Sequence, residues 1–474
     1  MPIATDPFRS TPLVVCLSAA FAMGASVAAH AATLPPASMF GWAMPHAFTT
    51  HAGPRVIGSV VRNVASCLDD GGIGTLRQVV GASGSGDGVD MSGLPLSCST
   101  ITLTQGEIVV GVQSLVLVGP KTRTLSIQNS QIGRILHHTV AGGELNIDYL
   151  TLSNAKVYTT STPARGGCVF SAGSVGLNGS TISGCTAVSY SGTAAGGGIY
   201  AAGSIYVSAS RITGNAAYTY DYSTAKGGGV YALNGLAVAF STIGKNFCSN
   251  AGFLGARGGG AYARGSFGQT GDGVILAFST IEENQAGTGG GIYFVGTSAG
   301  FNAQDSTISG NRAVLVGGVD LHSVSGTAHF QGVTIAFNSA TQYGGIRAFM
   351  NIAAYSSIIA KNTNGNAFPF PDVYIHGAGN GLTGHNNLIV ASNQVSGPTL
   401  TSDPELTPLA NHGGQTRTHG LSLTSPAINT GSSVGGSIDQ RGVGFLRQVP
   451  VGLQDMGAFE RQAGDDELFY GGFD

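Results

Sequence analysis

The densest grouping of residues able to do chemistry in this 474-residue chain is Asp305, Asp320, His322, His329, Arg347, Asp372 and His376. Two reactions on sugars call for such a set. An inverting glycoside hydrolase needs two or three carboxylates on one face, about 6.5–9.5 Å apart, so that one protonates the leaving group while another activates water. A polysaccharide lyase needs an acidic, cation-holding cluster with an Arg or Lys as base. If the chain is an enzyme of either kind, Asp305, Asp320, Arg347 and Asp372 are the residues expected to carry it. The plainer alternative makes Asp320 and Arg347 a surface ion pair on neighbouring repeats, worth under about 1 kcal/mol.

Other candidates are weaker. Glu282 and Glu283 are adjacent, and neighbours on a strand point to opposite faces, so they read as a solvated turn rather than a catalytic pair. His412 and His419 could hold a metal or bond the backbone. Their place among turn residues favours the second. No Cys/His spacing suits zinc and no Gly-Lys-Ser/Thr follows a Gly run, so neither a metal nor a cofactor is expected. An aromatic column is the most suggestive surface: Phe170, Tyr200, Tyr231, Tyr262 and Tyr293 recur every 30–31 residues. Turned outward, Tyr200, Tyr231, Tyr262 and Tyr293 would form an exposed stripe able to bind sugar rings or another protein. Stacked on one another, they would simply stabilise the repeat.

Both candidate sites depend on that repeat. One unit reads Ser-Thr-Ile-x-x-Asn, as at Ser241–Asn246, Ser279–Asn284 and Ser306–Asn311. A second reads Gly-Gly-Gly-(Ile/Val/Ala)-Tyr, as at Gly196–Tyr200, Gly227–Tyr231 and Gly258–Tyr262. The two alternate in constant phase, with the central apolar residue at Leu152, Ile182, Ile212, Ile243, Ile281, Ile308, Ile335 and Ile359. Each unit holds about three short period-2 apolar stretches and no helical pattern. Such a unit cannot bury its inward side chains alone, but stacking on its neighbours does so. This predicts an all-β protein, a right-handed parallel β-helix of about 10–12 coils. The handedness follows the general preference of parallel crossovers. The Ile positions should form an inward ladder, and Asn215, Asn246, Asn284, Asn311, Asn338 and Asn362 a ladder at a turn.

Composition agrees. The chain has 76 Gly and 17 Pro but only 21 Lys plus Arg and 24 Asp plus Glu, which argues against helical bundles and against disorder. Its cations are spread thinly without a basic stripe, so nucleic acid is not an expected partner. Residues 1–31, with Arg9, an apolar stretch from Pro12 to Met23 and Ala29-His30-Ala31, have the order of a secretory signal peptide. No later apolar run is long enough to span a membrane as a helix. Export permits disulfides. Cys67–Cys98 is the favoured pair, Cys168–Cys185 is a further pairing that the order allows, and the odd count leaves one thiol unpaired.

The ends carry a resemblance. Asp403-Pro404-Glu405-Leu406, Pro408–Gly414, Thr416-Arg417-Thr418-His419, Ser425–Asn429, Asp439-Gln440-Arg441-Gly442 and Asp455–Glu460 follow one another in the order of the choice-of-anchor Q domain, a C-terminal module of bacterial surface and secreted β-helix proteins. Asp69–Arg77 is similar to the segment that precedes the first coil in such proteins and caps it. The Ser-Thr-Ile-Ser-Gly-Asn and Gly-Gly-Gly-Ile-Tyr units resemble repeats of polymorphic outer-membrane proteins. The acidic end from Asp465, closing on Phe-Tyr-Gly-Gly-Phe-Asp, resembles the tail of some secreted gram-negative proteins. Taken with the signal-peptide and repeat readings, this gives a signal peptide (1–31), a linker (32–60), an N-terminal cap (61–100), the β-helix (101–399), a C-terminal module (400–460) and an acidic tail (461–474). The chain should then be exported to the outside or outer surface of a gram-negative-type cell. Its expected role is structural or adhesive and non-catalytic, with a polysaccharide or other cell-surface component as partner. The alternative is a polysaccharide lyase or glycoside hydrolase of the pectin-lyase-like type. A cap is also physically required, because an open last coil exposes unpaired backbone groups.

Overall fold

The computed structural model describes residues 60–465 apart from 266–272, 297–299, 324, 366–368, 398, 433–435, 448–452 and 464. The expected signal peptide, the linker up to residue 59 and the tail beyond 465 lie outside the described residues.

One coil shows how the repeat folds. Ile199–Ala201 lies in wall C, Ile205–Ser208 in wall A and Arg211–Thr213 in wall B. A flank strand, Ala216–Thr219, and a short strip, Ala225–Lys226, lead back to wall C at Val230–Ala232. Every coil-to-coil strand pairing is parallel, and Ile199↔Val230, Ile205↔Leu236 and Ile212↔Ile243 set the register one repeat apart. Walls A and B each stack 12 strands, wall C 10, the flank 8 and the strip 4. The chain is a parallel β-helix.

The inward ladder runs from Leu152 through Ile182, Ile212, Ile243, Ile281, Ile308 and Ile335 to Ile359, each fully buried. At about 25 cal/mol per Å² of apolar surface, this continuous core is the main stabilising term. The central coils make their corners with left-handed residues, glycines in some and in others Ala209, Phe240, Phe278, Asp305 and Ser356 between walls A and B, and Lys245, Glu283, Phe337 and Lys361 after wall B. Each of the latter is followed by a ladder asparagine. Asn246 Nδ2 donates to Asn284 Oδ1 at 2.9 Å and to Ile212 O at 3.0 Å, and the same pair of bonds recurs along the ladder. Beside it, the three glycines of one triplet have three reasons. Gly227 has φ +65°, a Cβ on Gly228 would lie 2.4 Å from Gly259 O, and a Cβ on Gly229 would strike the Asn246 amide at 3.0 Å.

At the N-terminal end a short helix, Leu76–Gly81, buries Leu76, Val79 and Val80 against the first coils. Arg77 Nε pairs with Asp69 Oδ1 at 2.8 Å and its Nη atoms donate to Gly106 O and Glu107 O, while the Asp69 carboxylate also accepts from Thr104 and Gln105 N–H. Cys67 is bonded to Cys98 and Cys168 to Cys185, and Cys248 is a buried free thiol.

The C-terminal module corrects an expectation. It does not sit across the last coil; from Asp403 onward it lies along the outer face of wall B and the neighbouring A–B corner. Gln440 bridges Thr307 (2.6 Å), Thr280 (2.9 Å) and Thr416 (2.9 Å). Ala458 N–H donates to Thr334 Oγ1, and Arg447 pairs with Asp305 at 2.5 Å. Phe240 and Phe278 stack at 4.8 Å and pack on Ile438, while Ile358 and Leu388 pack on Leu421, Ala427, Met456 and Phe459. The physical reason is that the outward Thr280, Thr307 and Thr334 give this half of the wall a flat face of hydroxyls, bordered by exposed-corner aromatics that need cover. The last coil is instead closed by its own continuation, where Val395 packs against the core. Glu282, read as part of a solvated turn, is buried here by Arg417, which binds it at 2.7 Å and Glu283 at 2.8 Å. Among the described residues no helix is long and apolar enough to cross a membrane.

Candidate functional site

The aromatic column and one pair from the acid cluster, Asp320 and Arg347, meet on one surface, the outer face of wall C. Because residues alternate across a strand, the fully buried Ile199 and Ala201 turn Tyr200 away from the coil interior. In register with it stand Phe170, Tyr231, Tyr262 and Tyr293. Their rings stack face to face, with centroids 4.9–5.4 Å apart and planes within 7° of parallel. The column therefore differs from an open stripe. Its ring faces are turned to one another, so the surface on which a sugar would lie is already occupied, and Tyr200, Tyr231, Tyr262 and Tyr293 are only 5–8% exposed. Burial pushes the Tyr231 hydroxyl up to about 12.

Asp320 and Arg347 take the next two places in register. They do not carry the stack, and they are not a surface pair. Asp320 is fully buried and grips the Arg347 guanidinium through two bonds, 2.9 and 2.6 Å. It also accepts from Thr288 Oγ1 at 2.6 Å and has His322 Nε2 at 3.0 Å. Burial alone would raise its pKa, but the hydrogen bonds and charges of His322 and Arg347 outweigh it and hold the carboxyl below its usual range. The ring column continues through His322, two residues along the same strand and so on the same side. His322 stacks on Tyr293 at 4.9 Å and on Phe349 at 4.7 Å, and Phe349 on His376 at 4.2 Å. The sequence reading missed this takeover because the ring shifts by two positions within the repeat.

The other two candidate acids lie elsewhere. Asp305 occupies the left-handed A–B corner and holds Arg447 of the C-terminal module; burial, partly offset by Arg447, pushes its pKa up to about 6. Asp372 terminates the asparagine ladder, accepting from Asn362 Nδ2 at 2.9 Å and from Asn362 and Ala391 N–H. Burial takes it to about 6 as well. Asp305, Asp320 and Asp372 share no partner, so the arrangement is three separate anchoring points rather than one acid–base centre. His412 bonds Thr418 Oγ1, and His419 bonds Thr407 O (2.7 Å) and Ser309 Oγ (2.8 Å). Both rings are thus engaged within the fold. Among the described residues no group of His, Cys, Asp and Glu could hold a metal ion.

Sequence reading also missed a column of cations beside the rings. Arg165, Ala195, Lys226 and Arg257 are in register on the short strip, and Arg264 lies across the ring column on wall C. Arg165 sits 5.2 Å from the Tyr200 ring centre, Lys226 5.4 Å from Tyr262 and Arg257 5.4 Å from Tyr293. A signal was available: Lys226 and Arg257 are one repeat apart, and Arg165 is two repeats before Lys226, with Ala195 in the intervening place. A hollow of about 340 Å³ lies on the uncovered half of wall B among Lys121, Arg123, Tyr149, Thr151 and Thr181, and a neighbouring one of about 300 Å³ reaches Arg211 and Gln415.

No family model matches the chain, and no curated protein matches it. Among solved structures, pectate lyase Pel9A aligns with a TM-score of 0.36 at 13% identity, over 85% of this chain and 97% of that one. This likeness is too low to bear on activity.

Proposed function

We propose that the chain is an exported, non-catalytic β-helix protein of the cell surface or exterior, structural or adhesive in role, whose C-terminal segment 400–460 is a choice-of-anchor Q-like module. The observation that carries this reading is the engagement of the candidate acids. Asp305 is held by Arg447, Asp320 by Arg347, and Asp372 by Asn362 and backbone N–H groups. A catalytic carboxylate must be free to exchange a proton with substrate, whereas these three fasten elements of the fold to one another. The docked module supports the same reading. Its motif residues Gln440 and Ala458 grip Thr280, Thr307 and Thr334 of wall B, and Arg447, between two of the motifs, holds Asp305 at the neighbouring corner.

The rival reading is a lyase or hydrolase acting through Asp320 and Arg347. Incubating the purified protein with acidic and neutral polysaccharides, and measuring unsaturated and reducing ends, separates the two. No release is expected. Release abolished by Asp320→Asn, with the folded structure retained, would replace the proposal by the enzyme.

A further inference from the structure

Among the described residues, the cations beside the ring column, Arg165, Lys226 and Arg257 on the strip and Arg264 on wall C, have no acid to answer them. Arg165 is exposed, and Lys226, Arg257 and Arg264 are half-buried around the Tyr231–Tyr262 pair. None of the four forms an ion pair among the described residues. The cations that flank the two ends of the same ring column are paired instead: Arg134, by Phe170, with Glu107, and Arg347, by Phe349, with Asp320. The charges felt by Lys226 are both positive; burial first, then Arg257 and Arg264, hold its ammonium below the usual range. Stacking like charges one coil apart, about 4.8 Å, is unfavourable. It is conspicuous in a chain with only 21 Lys and Arg in 474 residues.

Resting on the non-catalytic reading above, we propose that this face binds an acidic polysaccharide lengthwise, its carboxylates contacting Arg165, Lys226, Arg257 and Arg264. Three features point to that class of ligand. The column runs along the coil axis for about 14 Å, three coils at about 4.8 Å each, which suits an extended polymer better than a small anion seeking convergent donors. Arg165, Lys226 and Arg257 lie against rings that are themselves locked in a stack, so these cations are held in place before binding and little ordering is required. Nucleic acid fits less well. Single strands bind by stacking bases on free aromatic faces, and here those faces are turned to one another. The column also has an end: the next position, Thr288, donates to Asp320, whose charge Arg347 already balances.

The test is titration of the exported protein with alginate, a linear polyuronate, at low and at physiological salt, with dextran and single-stranded DNA alongside. Alginate should bind, weaken as salt rises, and outcompete both controls. Lys226→Gln together with Arg257→Gln should weaken binding by about tenfold, about threefold for each partly exposed charge. Melting temperature should stay level or rise, because like-charge repulsion is relieved. Arg165→Gln alters an exposed side chain only and should weaken binding without touching the fold. Absent alginate binding, binding undiminished in these variants, or preference for DNA would each overturn the proposal. Following chain length in the same incubations keeps the two readings apart. Shortening of the alginate would sink the non-catalytic reading while leaving the binding surface standing, and intact alginate that does not bind would sink the surface alone.

Discussion

His419 shows how a single ring fastens the module to the coils. Its Nδ1 faces Thr407 O and its Nε2 faces Ser309 Oγ, an arrangement that the neutral ring satisfies by donating at one nitrogen and accepting at the other. Burial takes its pKa from 6.5 down to about 4. Because the folded-state value lies below the unfolded one, the folded protein takes up its proton later on acidification. The associated stability is complete above pH 6.5 and lost as pH falls to about 4, a difference of about 3 kcal/mol. Denaturant unfolding of the parent and of His419→Gln between pH 7 and 4 should show the parent's advantage shrinking across that window; a constant difference would mean that the ring is not buried neutral. A second residue-scale expectation concerns phase. Ile243→Asp places an unpaired charge in the core and should cost about 3–5 kcal/mol or prevent export. Thr181→Asp, outward on the uncovered half of wall B, should change stability by no more than about 0.5 kcal/mol. Equal losses in the two unfolding curves would refute the assigned faces.

At the scale of the element, ladders decide what was readable. The inward Ile column and the Asn column were legible because each residue recurs at one place in every repeat and does the same thing in every coil. The ring column was legible only as far as Tyr293. Beyond it Asp320 holds the expected position, and His322 supplies the ring from two residues further on, a substitution that no fixed period reveals. The outward direction of the tyrosines was also readable, but their burial was not, since it depends on ring-on-ring contact and on cations from the preceding coil. The candidate acids have separate partners for a related reason: proximity in sequence placed Asp305 and Asp372 near Asp320, while the coil sends them to different positions around the turn. If the rings stabilise the stack, replacing Tyr231 and Tyr262 together with Ser should cost about 3 kcal/mol per ring, seen as a clear drop in melting temperature. An unchanged melting temperature would return the rings to the solvent.

For the whole molecule, the consequential contact is the return of the C-terminal segment along wall B. Arg447→Met would leave Asp305 buried without its cation, at a cost of about 3–5 kcal/mol, and adding Asp305→Asn should restore most of it. Faster proteolytic cleavage within residues 403–465 of the single variant, but not of the double, would confirm that this pair holds the segment down. Ending the chain at residue 402 should leave the coil core intact, because that core contains no residue of the segment. It should also expose Phe240, Phe278 and Ile358, so the shortened protein is expected to bind a hydrophobic dye and self-associate while keeping its β-sheet spectrum. The docked segment also works as a ruler. Its grips fall on Phe278, Asp305, Thr334 and Ser356 in successive coils, so its own length is matched to a fixed number of rungs. Gain or loss of a whole repeat below residue 210 only lengthens or shortens the free part of the stack. The same change between Ile281 and Ile359 throws every later grip out of step by one rung. Tandem duplication, the easiest way for a repeat protein to grow, is therefore open at one end of this chain and closed at the other.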